Sequence, residues 1–397
     1  MNGNGFYPLL LATAILLWAA PAAAMDETVP GQVETPYPTI TNLAVDWFIT
    51  GDDDLDGVVT VQYRRAGESQ WHEGLPLRRI PAGKSRGTRP TFFWENRHSG
   101  SLFDLKPDTG YEIRLTLKDL DGGRAEKVVT ARTRPVPRPA ADGMVKKVNA
   151  ATFEDSVLAA RPGDILLLAP GYYGDFTLRR NGGPGRPIVI RADGTHPVIN
   201  STFDSFSFGG QSHVILEGVT VNGNVDLLRC DDVAVIRCQV NAKYGITAAR
   251  PPGASNCYIA DNVVTYVMPW TPMGMGASLV SGGAGNVGEG IQITGPGNVI
   301  CYNRLKGFRD CISFMEDLGT YQQTCIDVYN NDILLGADDG IEADFAQGNC
   351  RIMRNRLTNC FMGLSSQPGL GGPTYFIRNL MYNIIDCPYK LSRSTSG

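Results

Sequence analysis

The sequence predicts an all-β protein built from two parts, a β-sandwich followed by a long parallel β-helix. Three observations predict this fold class. Short alternating stretches divided by turn residues fill residues 36–134, asparagines recur about every 24 residues in the second half, and 46 glycines are spread along the chain without a collagen period. Such glycines indicate many tight turns between short strands.

Composition excludes several classes of protein. The 397 residues are 43% hydrophobic, which is ordinary for a globular chain and argues against global disorder. The net charge is −4 and no basic stripe runs along any segment, so nucleic acid is a poor candidate partner. Phosphate-binding, dinucleotide-binding and serine-hydrolase motifs are all missing from the sequence. We expect a monomer.

The first 24 residues have the pattern of an export signal. An apolar run covers residues 9–20, and three alanines at 22–24 form a small-residue cleavage site. A retained membrane anchor is the alternative, but the run is shorter than the roughly 20 residues that a spanning helix needs. We therefore predict a signal peptide over residues 1–24, a secreted or periplasmic protein, and no membrane association after cleavage.

Residues 36–134 form the first predicted domain. Tyr111 follows the Pro107–Gly110 turn and opens an alternating strand, which is how a tyrosine corner looks in a β-sandwich. Over its whole length this stretch resembles a fibronectin type III domain, and such domains are mostly spacers or docking modules. A carbohydrate-binding role is the alternative, with Trp71 and Trp94 as the candidate exposed aromatics. A proline-rich, semi-rigid linker is predicted over residues 135–142.

The second predicted domain covers residues 143–397 and begins with a capping element. Residues 148–160 show a rough helical face formed by Ala151, Phe153, Val157 and Leu158, and an apolar strand follows at 165–168. This order of helix, Pro-Gly-Asp turn and Pro-Gly-Tyr stop resembles the entry of right-handed β-helix proteins. We expect a right-handed parallel β-helix with a short N-terminal capping helix. Because the chain ends soon after a strand-like segment at 387–391, we expect the natural chain to be longer or a partner to cover this end.

Asparagines give the register of the repeats. The predicted ladder is Asn262, Asn303, Asn330, Asn355 and Asn379. Steps of about 24 residues match one turn of a three-sided coil, and asparagines at one turn position can satisfy free backbone groups along the stack. The 41-residue step between Asn262 and Asn303 includes an insert at 268–288 that is expected either to border the binding groove or to be a loop without a role.

Nine cysteines accompany these repeats. An odd number leaves at least one unpaired or pairing outside the chain, and no CxxC spacing is present, which disfavours a thiolate zinc site. Inward packing explains them best. Cys257, Cys325 and Cys350 are predicted to share one register.

The candidate chemistry lies where three successive turns begin with a carboxylate. These residues are Glu289, Asp310 and Asp339. Neighbouring turns stack about 4.8 Å apart, so the acids would repel one another unless a cation or protonation relieves them. We predict catalytic roles for Asp310, Asp339, Glu342, Lys306 and Arg309, and metal ligation by Glu289, Asp338 and Asp344. Ile341 and Ala343 should point inward, so that Glu342 and Asp344 point outward. Calcium is the candidate cofactor, because it suits Asp and Glu oxygens.

Three functions fit this pattern. A lyase acting on a uronic-acid polysaccharide needs a base, here Lys306 or Arg309, beside the acidic groove. A glycoside hydrolase needs two carboxyl groups, with adjacent turns favouring retention and alternate turns inversion. A non-catalytic carbohydrate-binding or adhesion solenoid needs aromatic platforms, for which the candidates are Tyr172, Tyr173, Tyr244, Tyr266 and Trp270.

A resemblance to a known group of proteins supports a function that involves polysaccharides. The segment Asp338–Asp344, with the later Asn355–Asn359 and Gly371-Gly372-Pro373, resembles uncharacterised bacterial right-handed β-helix proteins of the pectate-lyase-like superfamily. The resemblance covers about residues 145–393 and implies polysaccharide lyases, glycoside hydrolases or epimerases. The chain lacks the Gly-His-Gly and Arg-Ile-Lys patterns of polygalacturonases and the signature of classical pectate lyases, so no catalytic residue is carried over. We predict an enzyme acting on an extracellular polysaccharide, with a lyase ahead of a hydrolase.

Overall fold

The computed structural model describes residues 25–194, 201–268, 270 and 287–391. The predicted signal peptide and most of the predicted insert lie outside the described residues. Within the described residues, no helix is long and apolar enough to span a bilayer.

The N-terminal part is a β-sandwich. Its two main sheets have the strand orders β1-β2-β8-β5 and β10-β9-β3-β4, and β6 pairs with β7 in a separate hairpin. The strands are β1 (Val29–Glu34), β2 (Leu43–Thr50), β3 (Val58–Arg65), β4 (His72–Glu73), β5 (Arg78–Ile80), β6 (Gly83–Lys84), β7 (Phe93–Trp94), β8 (Arg97–Leu102), β9 (Gly110–Lys118) and β10 (Arg124–Arg132). The sandwich thus includes β1, ahead of the predicted start at residue 36.

The sandwich closes around alternating inward residues. Trp47, Ile113 and Leu115 are fully buried between the two sheets, because every second residue of β2 and β9 faces the core. The predicted tyrosine corner is present, since the backbone N–H of Lys106 donates to the Tyr111 hydroxyl at 2.9 Å. The sandwich is therefore established, and its likeness to fibronectin type III domains stays a prediction.

The second part is a parallel β-helix, which confirms the predicted fold class. One of its faces is a ten-stranded sheet in which each strand pairs in parallel with the strand one turn away. Its strands are β11 (Val145–Val148), β12 (Ile165–Leu168), β14 (Ile188–Ala192), β16 (Val214–Glu217), β19 (Ala234–Ile236), β22 (Tyr258–Ala260), β25 (Val299–Cys301), β28 (Asp327–Tyr329), β30 (Cys350–Met353) and β32 (Thr374–Ile377).

The other faces belong to a 13-stranded parallel sheet that wraps around the coil. Its strands are β13 (Gly171–Thr177), β15 (Ser201–Ser207), β17 (Thr220–Val221), β18 (Val225–Asp226), β20 (Gln239–Asn241), β21 (Tyr244–Ala248), β23 (Val263–Thr265), β24 (Glu289–Ile293), β26 (Arg304–Phe308), β27 (Asp310–Phe314), β29 (Asp332–Glu342), β31 (Arg356–Ser365) and β33 (Leu380–Lys390). A 3₁₀ turn, Asp317–Gly319, follows β27.

A short helix, α1 (Phe153–Leu158), caps the N-terminal end of the coil. Phe153 and Val157 are buried, and the Phe153 ring packs against Tyr173, Phe176 and Phe203. The predicted helical face is partly wrong, because Ala151 and Leu158 are exposed. Ala151 precedes the helix, and Leu158 follows Val157 directly and so lies on a different face from the buried pair Phe153 and Val157.

The asparagine ladder is present with one correction. Buried side-chain hydrogen bonds of 2.9–3.0 Å join Asn262, Asn303, Asn331, Asn355 and Asn379 in order. The predicted member Asn330 is wrong. Asn330 has a φ of +55° and occupies the left-handed turn position, which Tyr302 and Arg354 occupy before the ladder asparagines of neighbouring turns.

Six of the nine cysteines pack in the interior of the coil as predicted, whereas Cys301 packs between the ten-stranded sheet and the sandwich, and the Cys325 thiol donates to the Pro36 carbonyl of the N-terminal part. Eight of the nine are buried and none forms a disulfide. The strand register aligns Cys257 with Cys350, while Cys325 lies one residue earlier in its turn with a φ of +55°. The predicted register of Cys325 is therefore wrong.

Buried polar contacts fix the sandwich against the β-helix. Arg351 and Asp327, both fully buried, pair at 2.5 Å on the ten-stranded sheet, and Asn42 of the sandwich donates to the same carboxylate at 2.7 Å. Just before the linker, the Arg134 guanidinium donates to the carbonyls of Asn256 and Gly297 at 2.5 and 2.6 Å. These contacts place the sandwich alongside the later turns of the coil.

Candidate functional site

The predicted stack of carboxylates is present on the 13-stranded sheet. The register pairs Glu289 with Asp310, and it pairs Ile312 with Ile341, which places Asp310 opposite Asp339. The stack therefore runs over three consecutive turns. The column continues to Tyr244 on one side and to Met362 on the other.

A second row of polar side chains runs beside this stack. It consists of Gln292, Ser313, Glu342, Ser365 and Lys390, in register on β24, β27, β29, β31 and β33. Ile341 and Ala343 face the apolar core, so Glu342 and Asp344 point outward as predicted. Both outward carboxyls are nevertheless buried.

Arg309 is the cation at the first end of the acidic group. Its Nε lies 2.6 Å from Asp310 Oδ2 and 3.6 Å from Glu289 Oε1. Asp310 also accepts the backbone N–H of Asp339 at 2.8 Å, and Ser313 donates to Glu289 at 2.9 Å. Arg309 thus neutralises the acid of its own turn and the acid of the turn before.

Lys390 is the cation at the other end, and the sequence did not point to it. Its ammonium pairs with the Asp339 carboxylate and lies 3.8 Å from Glu342 Oε1. Lys390 comes from β33, two turns beyond β29. The sequence does contain a signal for Lys390, namely the register of the outward positions. Each residue of this row directly follows an apolar residue at one shared register position of its turn: Ser313, Glu342, Ser365 and Lys390.

Burial and crowding raise the pKa values of several of these acids. Burial, followed by the neighbouring Asp310 carboxylate, raises the pKa values of Glu289, Asp339 and Glu342 well above the usual range. Burial raises the pKa of Asp344 to about 7, although Ser365 and Lys390 oppose the shift. Burial alone would lower the pKa of Lys390, but the carboxylates of Asp339 and Glu342 raise it.

Two predicted roles need correction. Lys306 lies at an exposed position of β26, in register with Thr265 and Leu334, and makes neither an ion pair nor a side-chain hydrogen bond with any described residue. The corner between β26 and β27 directs it away from the acids. The three predicted metal ligands also do not form one set of converging oxygens, because Glu289 pairs with Arg309 whereas Asp344 converges with Glu316 and Glu342.

The oxygens that do converge belong to Asp310, Asp339 and Glu342, which lie within 4.8 Å of one another. Asp339 is fully buried, and its Oδ1 has no hydrogen-bond partner. A second set joins Glu342 to Glu316 and Asp344 within the same distance. Glu342 is therefore the carboxyl shared by both sets.

The candidate aromatic platforms differ in their exposure. Tyr244 is 44% exposed at the end of the carboxylate column, whereas Tyr173 stacks on Phe203 beneath the cap. In the sandwich, Trp71 lies between the guanidinium groups of Arg64 and Arg114, at 4.4 and 4.1 Å. Only Tyr244 among these rings combines exposure with a position beside the acids.

Trp94 is likewise not an open platform. Its indole N–H donates to the Pro81 carbonyl, and its ring packs on Gly371, where an added Cβ would lie 2.7 Å from the Trp94 ring. Trp94 is thus a contact between the sandwich and the β-helix.

A separate group of acids lies at one end of the sandwich. Oxygens of Asp52, Asp56 and Asp119 come within 4.8 Å of one another. Arg79 pairs with Asp52, and the Thr28 N–H donates to Asp119 at 2.9 Å. These contacts tie the β2–β3 turn to the rest of the sandwich.

Comparisons with known proteins give limited information. No protein-family model matches the chain, and no curated protein matches it. Among solved structures, the family 28 exopolygalacturonase of Yersinia enterocolitica is similar over 93% of this chain and 87% of its own, at 12% identity and a TM-score of 0.32. A redesigned β-sandwich protein and a myokine structure each match 27% of this chain and 96% and 98% of their own, at 19% and 14% identity and TM-scores of 0.18 and 0.19. Similarities this low say nothing about activity.

Proposed function

We propose that this protein is a glycoside hydrolase acting on a polysaccharide, with Glu342 as the general acid and Asp310 as the partner carboxylate. One observation carries the proposal. The two carboxyl groups lie within 4.8 Å of each other on adjacent turns, and a cation lies 2.6 Å from Asp310 but 3.8 Å from Glu342. Hydrolysis of a glycosidic bond needs such a pair, one protonated and one charged.

Glu342 is suited to donate a proton. Burial and the acids Asp310, Asp344 and Asp339 all raise its pKa, so the carboxyl retains its proton at a pH where an exposed glutamate is ionised. A group of this kind protonates the leaving oxygen of the sugar. Activity should therefore fall as the pH rises through the pKa of Glu342, because the acid is lost.

Asp310 is suited to act as the charged partner. The Arg309 guanidinium at 2.6 Å supports its negative charge, and the Asp339 N–H orients its other oxygen. The short separation between the two carboxyls leaves no room for a water molecule between them and favours retention of the anomeric configuration. Inversion would instead implicate carboxyls on alternate turns, namely Glu289 and Asp339.

A lyase is the second candidate, and the position of the cations argues against it. The base that removes a proton beside a uronate must be free to accept one. Arg309 and Lys390 both pair with carboxylates that raise their pKa values, and Lys306 lies elsewhere on the coil. A non-catalytic binding solenoid is the third candidate, supported by the exposed Tyr244 ring.

Of the two sets of converging oxygens in this site, the one formed by Asp310, Asp339 and Glu342 is the better fit for calcium. The oxygens of Asp310, Asp339 and Glu342 match the ligands that calcium prefers, and Asp339 Oδ1 lacks another partner. Bound there, calcium would supply positive charge to an acidic substrate. Because Arg309 and Lys390 already neutralise this group, we propose that the hydrolysis does not require it.

The test is a polysaccharide screen of the purified chain with and without a calcium chelator. New reducing ends and the absorbance of unsaturated uronates are measured in parallel, for the wild type, Glu342→Gln, Asp310→Asn and the exposed-turn control Asp261→Asn. We expect reducing ends without unsaturated products, an about 10²- to 10⁴-fold loss of kcat in Glu342→Gln, and an unchanged control. Unsaturated products would establish a lyase. If neither assay detects a product while the chain still binds a polysaccharide, the non-catalytic binding solenoid is the supported function.

A further inference from the structure

One hairpin of the sandwich borders the acidic site of the β-helix. This basic hairpin, residues 83–94, consists of β6, β7 and the loop that joins them. The backbone N–H of Arg89 donates to Asp317 Oδ1 at 3.2 Å, and the Phe92 ring packs edge-on against Phe345, with centroids 6.0 Å apart. The hairpin is therefore held on the β-helix from two sides.

Both contact residues are chain neighbours of acids in the site. Asp317 follows Glu316, and Phe345 follows Asp344. Glu316 and Asp344 belong to the set of oxygens that Glu342 joins. The hairpin thus lies beside the proposed general acid, although it belongs to the other domain.

The hairpin carries unneutralised positive charge. Residues 81–94 contain Lys84, Arg86 and Arg89 and no Asp or Glu. All three side chains are exposed, and none forms an ion pair with any described residue. Since several acids lie nearby, cations serving only to balance that charge would pair with them. These three instead face solvent.

An exposed aromatic side chain accompanies the cations. Phe93 is 76% exposed on β7, in register with Lys84. A flat apolar face beside cationic side chains matches the two parts of an acidic sugar, its C–H face and its carboxylate or sulfate group. Neither feature is needed to hold the hairpin in place, which Phe92 and Trp94 achieve.

We propose that the basic hairpin is a substrate subsite, which binds acidic units of a polyanionic polysaccharide next to the bond that is cut. The inference rests on the proposed hydrolase and assigns the sandwich a direct part in substrate binding. Phe93 stacks on a sugar ring, and Lys84, Arg86 and Arg89 contact its anionic groups. The hairpin positions substrate and takes no part in bond cleavage.

The test uses the full chain with polygalacturonate and alginate, each also in a carboxyl-reduced neutral form. The test variants are the triple Lys84→Gln/Arg86→Gln/Arg89→Gln and the single Phe93→Ala. The matched control replaces three other exposed, unpaired cations of the sandwich, Lys106→Gln/Lys118→Gln/Arg124→Gln. On the acidic polymer that is cut, we expect the test triple to raise KM about tenfold at unchanged kcat and to flatten the salt dependence of KM. The control triple should match the wild type.

Binding by calorimetry separates this inference from the proposed activity. If the wild type binds an acidic polymer without cutting it and the test triple loses that binding, the hairpin subsite stands and the hydrolase fails. If the wild type cuts an acidic polymer and the test and control triples have equal KM values, the hairpin subsite is refuted. The assignment to acidic sugars would be refuted if the test triple weakened binding to the neutral polymers as much as binding to the acidic ones. It would also be refuted if the wild type bound neither acidic polymer.

Discussion

The raised pKa values of the buried acids predict that the β-helix is more stable at mildly acidic than at mildly alkaline pH. Asp344 allows a magnitude, because its pKa is about 7 in the folded chain against an ordinary value of 3.8. A carboxyl whose pKa is raised by folding binds its proton more tightly in the folded state. Its contribution to stability is therefore greatest below the unfolded pKa and is lost as the pH rises towards the folded pKa.

The expected change follows from these two values. Between pH 5 and about 7 the unfolded chain has released the proton of Asp344 while the folded chain retains it, a span of about two pH units. At about 1.4 kcal/mol per unit, the free energy of unfolding should fall by about 3 kcal/mol on going from pH 5 to pH 8 through Asp344 alone. Glu289, Asp339 and Glu342 act in the same direction, since their pKa values are also raised.

Asp344→Asn isolates this contribution. The amide oxygen can still accept from the Ser365 hydroxyl and the Gln367 N–H, so the local hydrogen bonds are kept. Urea unfolding followed by circular dichroism at pH 5 and pH 8 should show a pH dependence about 3 kcal/mol smaller in the variant than in the wild type. The variant should be the more stable chain at pH 8.

Asp261→Asn is the control for this experiment. Asp261 is exposed and has a φ of +58°, a conformation that asparagine tolerates well. It should keep the pH dependence of the wild type. If Asp344→Asn also keeps that dependence, the carboxyl is not protonated in the folded chain, and the electrostatic account of the site is wrong.

Two further predictions concern the ladder and the groove. Asn331→Ala leaves the Asn303 N–H and the Ile300 carbonyl without their buried partners, so it should lower the free energy of unfolding by about 2–5 kcal/mol. Asn330→Gly changes the residue at the left-handed position and should alter the free energy of unfolding by less than about 1 kcal/mol. Equal effects in urea unfolding would contradict the observed register. Tyr244→Ala removes the exposed ring at the end of the carboxylate column and should raise KM about three- to tenfold at unchanged kcat; an unchanged KM would exclude Tyr244 from the substrate groove.

The carboxylate stack could be predicted because its signal is local. Glu289, Asp310 and Asp339 are each followed by a small residue and an isoleucine, so alignment by the asparagines places them together. The asparagine ladder was harder to predict at the turn that contains both Asn330 and Asn331. Where two asparagines are adjacent, spacing alone does not say which one bonds along the stack, and the left-handed backbone at Asn330 decides it.

Two cations, Lys390 and Lys306, show what could not be predicted from the sequence. Lys306 is close to Asp310 in the chain, but a corner of the coil separates them, whereas Lys390 is 51 residues from Asp339 and pairs with it. Proximity along the chain is a poor guide in a solenoid, because one turn takes about 24 residues and stacking partners come from successive turns. The contact between the basic hairpin and the acidic site has no signal in sequence spacing at all.

The burial of the outward carboxyls connects stability with the proposed activity. Periodicity predicts that Glu342 and Asp344 leave the core, but it does not predict that both are nevertheless buried. Once buried, these acids need protons or cations, and among the described residues the cations paired with them are Arg309 and Lys390. Because the folded chain binds these protons more tightly than the unfolded chain, it loses stability as the pH rises and the protons leave, and the same protons are what a general acid requires. Replacing Asp344 by asparagine should therefore stabilise the chain at pH 8. It should also lower the pKa of Glu342 by removing one of the charges that raise it, so the gain in stability and the loss of activity at high pH should arise together.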